Sequence, residues 1–158
     1  MAIMHRHVVS VAAVVLAAGP SLAACAGDDG HTTEVNCALE ERDDEFLAGM
    51  QKTGAGGMTF PLVSATPSPP ARDDNTWEID IATPAGPFDG TVTVVPFMPD
   101  HRHGTPIEVV VTPVAGTLGR YRATPINLWM PSLWEITVRA TPTAGGADAA
   151  IFRFCIPG

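Results

Sequence analysis

Hydrophobic positions recur with three different rhythms along this chain. Near the N-terminus, Val8 to Ala18 is an almost unbroken apolar run in which only Ser10 is polar. Ala38 to Lys52 follows a helical spacing. Leu39, Phe46, Leu47 and Met50 fall on one face, and Glu40, Glu41, Asp43 and Asp44 load the first turns with acids that suit a helix N-terminus. Gly54, Gly56 and Gly57 end this predicted helix, and Pro61, Pro67, Pro69 and Pro70 predict an extended stretch behind it. From Thr76 onward the period becomes two. Trp77, Ile79 and Ile81 alternate with polar or small residues, and Thr91 to Val95 follows a Pro87-Phe88-Asp89-Gly90 turn. Ile107 to Thr112 is rich in β-branched residues, and Arg120 to Ala123, Trp134 to Arg139 and Ala150 to Cys155 continue the pattern. Pro and Gly clusters separate these runs. Six or seven short strands so spaced predict an all-β fold, an immunoglobulin-like β-sandwich with one short N-terminal helix, in a single domain. Strands do not alternate with helices, which argues against a doubly wound sheet and its nucleotide site.

The first apolar run carries a different message. Arg6, flanked by His5 and His7, gives it a basic start, and its length falls short of the roughly 20 residues that span a bilayer. Gly19-Pro20-Ser21 breaks the run before Leu22-Ala23-Ala24-Cys25. That tetrapeptide has the pattern of a lipobox, and residues 1–25 resemble the leader of bacterial lipoproteins. The resemblance implies a signal peptide over 1–24, an acylated Cys25 and a polar, Gly- and Asp-bearing tether over 25–36. The sandwich would then occupy 37–158, in the cell envelope, with the membrane contacted through the lipid anchor. Ala26, where an Asp would signal inner-membrane retention, favours the outer membrane. Plain secretion with an unmodified Cys25 is the alternative.

Charge and cysteine usage narrow the picture. The formal net charge is −8, and loss of the leader removes only Arg6 among the charged residues, so the exported chain is more acidic still. Such a surface repels nucleic acid, which is excluded as a partner. Of three cysteines, Cys25 is assigned to lipid, which leaves Cys37 and Cys155. An even pair in an exported chain reads as a disulfide, here closing nearly the whole domain. A metal or redox pair is the competing reading, and neither cysteine has a neighbouring His or Cys at ligand spacing.

Two loops could carry chemistry. Phe97-Met98-Pro99-Asp100-His101-Arg102-His103-Gly104-Thr105 holds two imidazoles one residue apart, and Met130 heads a second Met-Pro turn within Asn127 to Ile136. Thioether with imidazole suits copper better than zinc, and calcium or magnesium would want oxygen ligands. Met98, His101, His103 and Met130 are therefore the candidate metal ligands. Equally, the methionines could fill the sandwich edge, and the histidines could be solvated or cap a turn. Trp134 reads as core, whereas Trp129 could be core or a partly exposed lid. Met98-Pro-Asp-His101-x-His103-Gly-Thr, Gly119-Arg-Tyr121 and Met130-Pro-Ser-Leu-Trp134-Glu-Ile-Thr-Val together resemble the YtkA-like domain family, relatives of FixH-type proteins. The similarity spans roughly residues 72–142. It implies an immunoglobulin-like sandwich in the bacterial envelope, with copper handling a theme among relatives. Arg102 and Ser132 depart from that pattern, which favours a small residue and a glycine there. Ser64, Ser68 and Ser132 lack a nucleophile-elbow surround, and Asp43-Asp44 and Asp73-Asp74 look solvated, so the chain does not read as an enzyme. Two functions follow as expectations: a copper-binding envelope lipoprotein, or a non-metal structural or protein-interaction module of the envelope.

Overall fold

Strict period-two burial is clearest in the second half of the chain. In the computed structural model, which describes residues 35–158, three long strands bury every other side chain. These are β6 (Gly90–Met98), β10 (Ser132–Pro142) and β11 (Asp148–Ile156). Val92, Val94 and Met98 of β6, Trp134, Ile136 and Val138 of β10, and Phe152, Phe154 and Ile156 of β11 all face inward. The expected signal peptide, the expected acylation site at Cys25 and most of the expected tether lie outside the described residues.

Two antiparallel sheets enclose the core. The four-stranded sheet runs β11-β10-β6-β7, where β7 is only His103–Gly104. The seven-stranded sheet runs β5-β4-β2-β3-β9-β8, with β1 (Gln51–Thr53) paired to β2 (Thr59–Thr66). Its other members are β3 (Asp73–Asp80), β4 (Ala82–Thr83), β5 (Gly86–Pro87), β8 (Val110–Pro113) and β9 (Arg120–Leu128). Phe60, Leu62, Trp77, Ile79, Ala123, Ile126 and Leu128 supply this sheet's buried face. Trp77 locks the two sheets together, meeting Phe152 and Phe154 edge-on with ring centroids 5.8 and 5.7 Å away. β2 is a strand within the proline-marked extended stretch, and Pro61 is tolerated there between inward-facing Phe60 and Leu62.

The predicted helix over 38–52 is not formed. Cys37–Leu39 makes a single 3₁₀ turn, capped by Asn36, whose Oδ1 accepts from Ala38 N at 3.1 Å. The chain then runs without regular structure until β1. Tertiary bonds have taken the place of helical ones. Cys37 is disulfide-bonded to Cys155, Asp44 N donates to Arg153 O at 2.8 Å, and the Asp44 carboxylate accepts from Arg153 N at 2.8 Å. Phe46 packs edge-on to Phe154, but Leu39 and Leu47 stay exposed, so the supposed apolar face is split. A helix this short is marginal without a face to bury, and the open edge of β11 competes for its backbone.

The disulfide is present as the cysteine count implied, with Cα atoms 5.5 Å apart and partners separated by 118 positions in sequence. Asp148, at the start of β11, is buried and gathers the Gly54–Met58 loop. Its carboxylate accepts from Met58 N at 3.0 Å and Ala149 N at 2.9 Å.

Candidate functional site

The Met-His loop is the hairpin between β6 and β7. Phe97 pairs with Gly104 and Met98 with His103, and Arg102 N donates to Met98 O at 2.8 Å to close the turn. Arg102 itself sits in the left-handed region, with φ of 57°. Glycine or asparagine is more at ease there than an arginine. The turn brings the two flanking imidazoles together: the His101 and His103 rings lie 5.8 Å apart, edge to face. Two imidazoles on one ion, with metal–nitrogen bonds of about 2.0 Å, have centroids separated by up to roughly 6 Å, so this spacing is within reach of a shared cation.

His103 is held on two sides. Its ring stacks on Trp129 with centroids 5.7 Å apart, and its Nδ1 lies 3.0 Å from Gly104 O. A carbonyl only accepts, so Nδ1 is the donor in this contact, and in the neutral ring Nε2 is the nitrogen open to a ligand. His101 is exposed. Beside it, Asp100 receives a bidentate grip from Arg42 at 2.8 and 2.7 Å, and Arg42 also bonds Glu40 at 2.8 and 2.7 Å. The Arg42 hydrogen bonds hold the Asp100 carboxyl below the usual range and bring Glu40 down to about 2. The segment after Cys37 thus anchors the histidine hairpin from outside.

Met98 and Met130 take different positions. Met98 is fully buried in the sheet core, on the same face as its cross-strand partner His103. Met130 is half-buried against the core, and its carbonyl accepts from Trp134 Nε1 at 2.9 Å. That bond explains the second Met-Pro turn structurally: it anchors the indole of a core tryptophan. The four candidate ligands therefore do not share one environment. The hairpin and the β9–β10 turn bring His101, His103 and Trp129 together at the surface, while Met98 lies in the interior. Among the described residues no three His, Cys, Asp or Glu side chains gather as a metal-binding group.

Trp129 was undecided in the sequence, and it is partly open, at 39% exposure. Arg72 Nε reaches across from the β2–β3 loop to its carbonyl at 3.1 Å. Two buried polar residues had no sequence pattern to flag them. Asn75 Nδ2 donates to Ala71 O, Asp73 O and Ile126 O while its Oδ1 accepts from Ala71 N, fixing the same end of the sandwich. Asp148 was signalled only indirectly, by the glycines it requires: a Cβ at Gly54 would stand 2.3 Å from Asp148 Oδ1. At the opposite end, Phe88, Gly90, Leu118, Gly119 and Tyr121 line an open cleft of about 370 Å³. Burial pushes the Tyr121 hydroxyl up in that cleft, and it donates to Gly90 O at 3.4 Å.

Comparison of this chain with protein-family models, with curated proteins and with solved structures finds no match.

Proposed function

We propose that this chain is a lipid-anchored, non-enzymatic module of the bacterial envelope, built on an immunoglobulin-like sandwich of YtkA-like type, that binds another envelope protein through the loop end bearing Trp129, His101 and His103. Support for the fold reading comes from strand order. The orders β2-β3-β9-β8 and β11-β10-β6 reproduce the ABED and GFC sheets of a constant-type immunoglobulin sandwich, with β2 as strand A and β11 as strand G. The disulfide departs from that type, since it ties the segment before β2 to β11 rather than joining the sheets across the core. Support for the address comes from the lipobox at Leu22 to Cys25.

The observation that carries the interaction reading is Trp129. A tryptophan held half-open by a stacked imidazole, on a loop braced by Arg72 and Trp134, is a rigid aromatic anchor of the kind that dominates protein interfaces. A photo-crosslinking residue at position 129 of the full chain, expressed in a bacterium that processes lipoproteins, tests this. One defined envelope protein is expected to be captured at 129 and not at exposed Thr112 in β8. Capture of nothing, or of the same proteins from both positions, sinks the reading.

A second reading rests on the 5.8 Å imidazole pair: His101 and His103 hold a copper ion, with Nε2 of His103 as one donor. Met98, buried on the same face as its cross-strand partner His103, and the half-buried Met130 are the thioether candidates beside them. Titration with Cu(I) against a competing chelator, beside the His101→Ala/His103→Ala chain, tests it. Binding tighter than about micromolar that is lost in the double variant supports the site, since two imidazoles alone supply its nitrogen donors. Equal binding by both chains removes it.

A further inference from the structure

The four-stranded sheet protects one of its edges and leaves the other bare. On the β11 side, Asp44 occupies both backbone groups of Arg153. On the β6 side, the only hydrogen-bonded strand among the described residues is the two-residue β7, which pairs with Phe97 and Met98 and leaves Gly90–Pro96 without a ladder partner on that flank. Exposed sheet edges are ordinarily guarded by charge, by proline within the strand or by a bulge. Gly90 to Met98 reads GTVTVVPFM, with no charged residue and one proline, which stands at the β7 end. Thr91, Thr93 and Val95 are exposed along it, Val95 at 55%.

Two prolines reveal which backbone groups face outward. In an antiparallel ladder, alternate residue pairs exchange hydrogen bonds. Pro96 pairs with Ile136 and Gly90 with Pro142, and neither proline can donate. The bonded pairs with β10 are therefore those of Thr91, Thr93, Val95 and Phe97. Gly90, Val92, Val94, Pro96 and Met98 turn their polar groups the other way. The Met98 carbonyl bonding Arg102 N on the β7 side agrees with this parity. Gly90 O is engaged by the Tyr121 hydroxyl, and Pro96 O lies where a Cβ on Gly104 would meet it at 2.9 Å. That leaves the N–H and C=O of Val92 and of Val94, with the N–H of Gly90, as the free set, and no group among the described residues bonds the valines on that flank.

We infer that a second copy of this chain binds there, the two β6 strands pairing antiparallel about a two-fold axis at Thr93. The free groups select this register. With Thr93 opposite Thr93, Val92 of one copy meets Val94 of the other, and the N–H and C=O of all four valines are satisfied without drawing on Pro96. A shift of the axis to Val94 would set Val92 against Pro96, which has no N–H and is crowded by β7. On the outer face, Thr93 meets Thr93 and Thr91 meets Val95, cross-strand pairs that favour sheet formation. Variable-type immunoglobulin sandwiches carry an extra strand at this edge of the same sheet, so such a sandwich has room for one. The contact is isologous and closes at two copies, since the pairing uses the same β6 edge of each.

Cross-linking of the full chain bearing Thr93→Cys tests the pairing. Thr93 faces solvent and its substitution leaves the core untouched. In a non-hydrogen-bonded antiparallel pair the facing Cα atoms stand about 4.5 Å apart, close enough for a disulfide. The expected result is a covalent dimer on a non-reducing gel, with mass spectrometry finding the peptide that contains position 93 disulfide-linked to its own copy. Adding Val95→Lys should cut its yield at least tenfold, by setting a charge on the edge. A Thr112→Cys chain should give no such dimer. No linkage at 93, equal linkage at 93 and 112, or a yield indifferent to Val95→Lys overturns the proposal. Sedimentation of the wild-type chain in detergent gives a cysteine-independent answer: monomer alone at tens of micromolar also overturns it.

Discussion

Asp148 shows how a single residue can organise a stretch of sequence far from it. Burial alone would push its carboxyl up, but the amides of Gly56, Met58, Ala149 and Ala55 outweigh burial and hold it below the ordinary 3.8. Replacement of Asp148 by Ala would strand several amides in a buried loop, at about 2–4 kcal/mol by the cost of unsatisfied donors. Denaturant unfolding of Asp148→Ala beside the parent chain measures it. The sign with pH follows from the lowered value: stabilisation is complete above the unfolded carboxyl's range and is lost as pH falls through the folded one. Glu40, held at about 2 against an ordinary 4.5, acts in the same direction. The melting temperature should therefore fall as pH drops from about 4.5 toward 2, and less steeply in Asp148→Asn. The glycines at 54, 56 and 57 were visible in the sequence and read as a helix stop. The reason for Gly54 and Gly56, room for a carboxylate arriving from 90 positions beyond Met58, was not; Gly57 instead supplies a φ of 85°.

At the scale of elements, local pattern succeeded where one face is buried and failed where the chain serves as cover. β6, β10 and β11 were legible because a core on one side and solvent on the other imposes period two. The run at Ile107 was legible as a strand but forms one only from Val110, because the chain must first cross between the sheets. Residues 38–52 mislead for the opposite reason. Helical spacing of Leu39, Phe46, Leu47 and Met50 is a weak prior, and the β11 edge, the disulfide and the Arg42 grip on Asp100 each pull the segment into extended form. Guarding β11 in this way sharpens the contrast with the bare flank of β6, where the Thr93 cross-link belongs. The metal-ligand pattern is also an element-scale matter. His101 and His103 come together because Arg102 turns left-handed between them, whereas strand parity sends Met98 inward.

Across the whole molecule, the largest single constraint is the Cys37–Cys155 bridge. Closing a loop whose ends are separated by 118 positions in sequence removes about 4–5 kcal/mol of freedom from the unfolded chain in the entropy model. Reduction, or Cys37→Ser with Cys155→Ser, should lower unfolding stability by an amount approaching this, read from denaturant melts with and without reductant. A change below about 1 kcal/mol would mean that the unfolded chain is already compact there. The sequence by itself determined the all-β class, most of the strands and the cysteine pair, because alternation and an even thiol count are local or countable properties. Tertiary structure alone decided the division of strands between two sheets, the fate of the 38–52 segment, the burial of Met98 and the outward face of Trp129. Each of these depends on which distant backbone or side chain packs at a given edge or cavity, and spacing along one chain does not encode that.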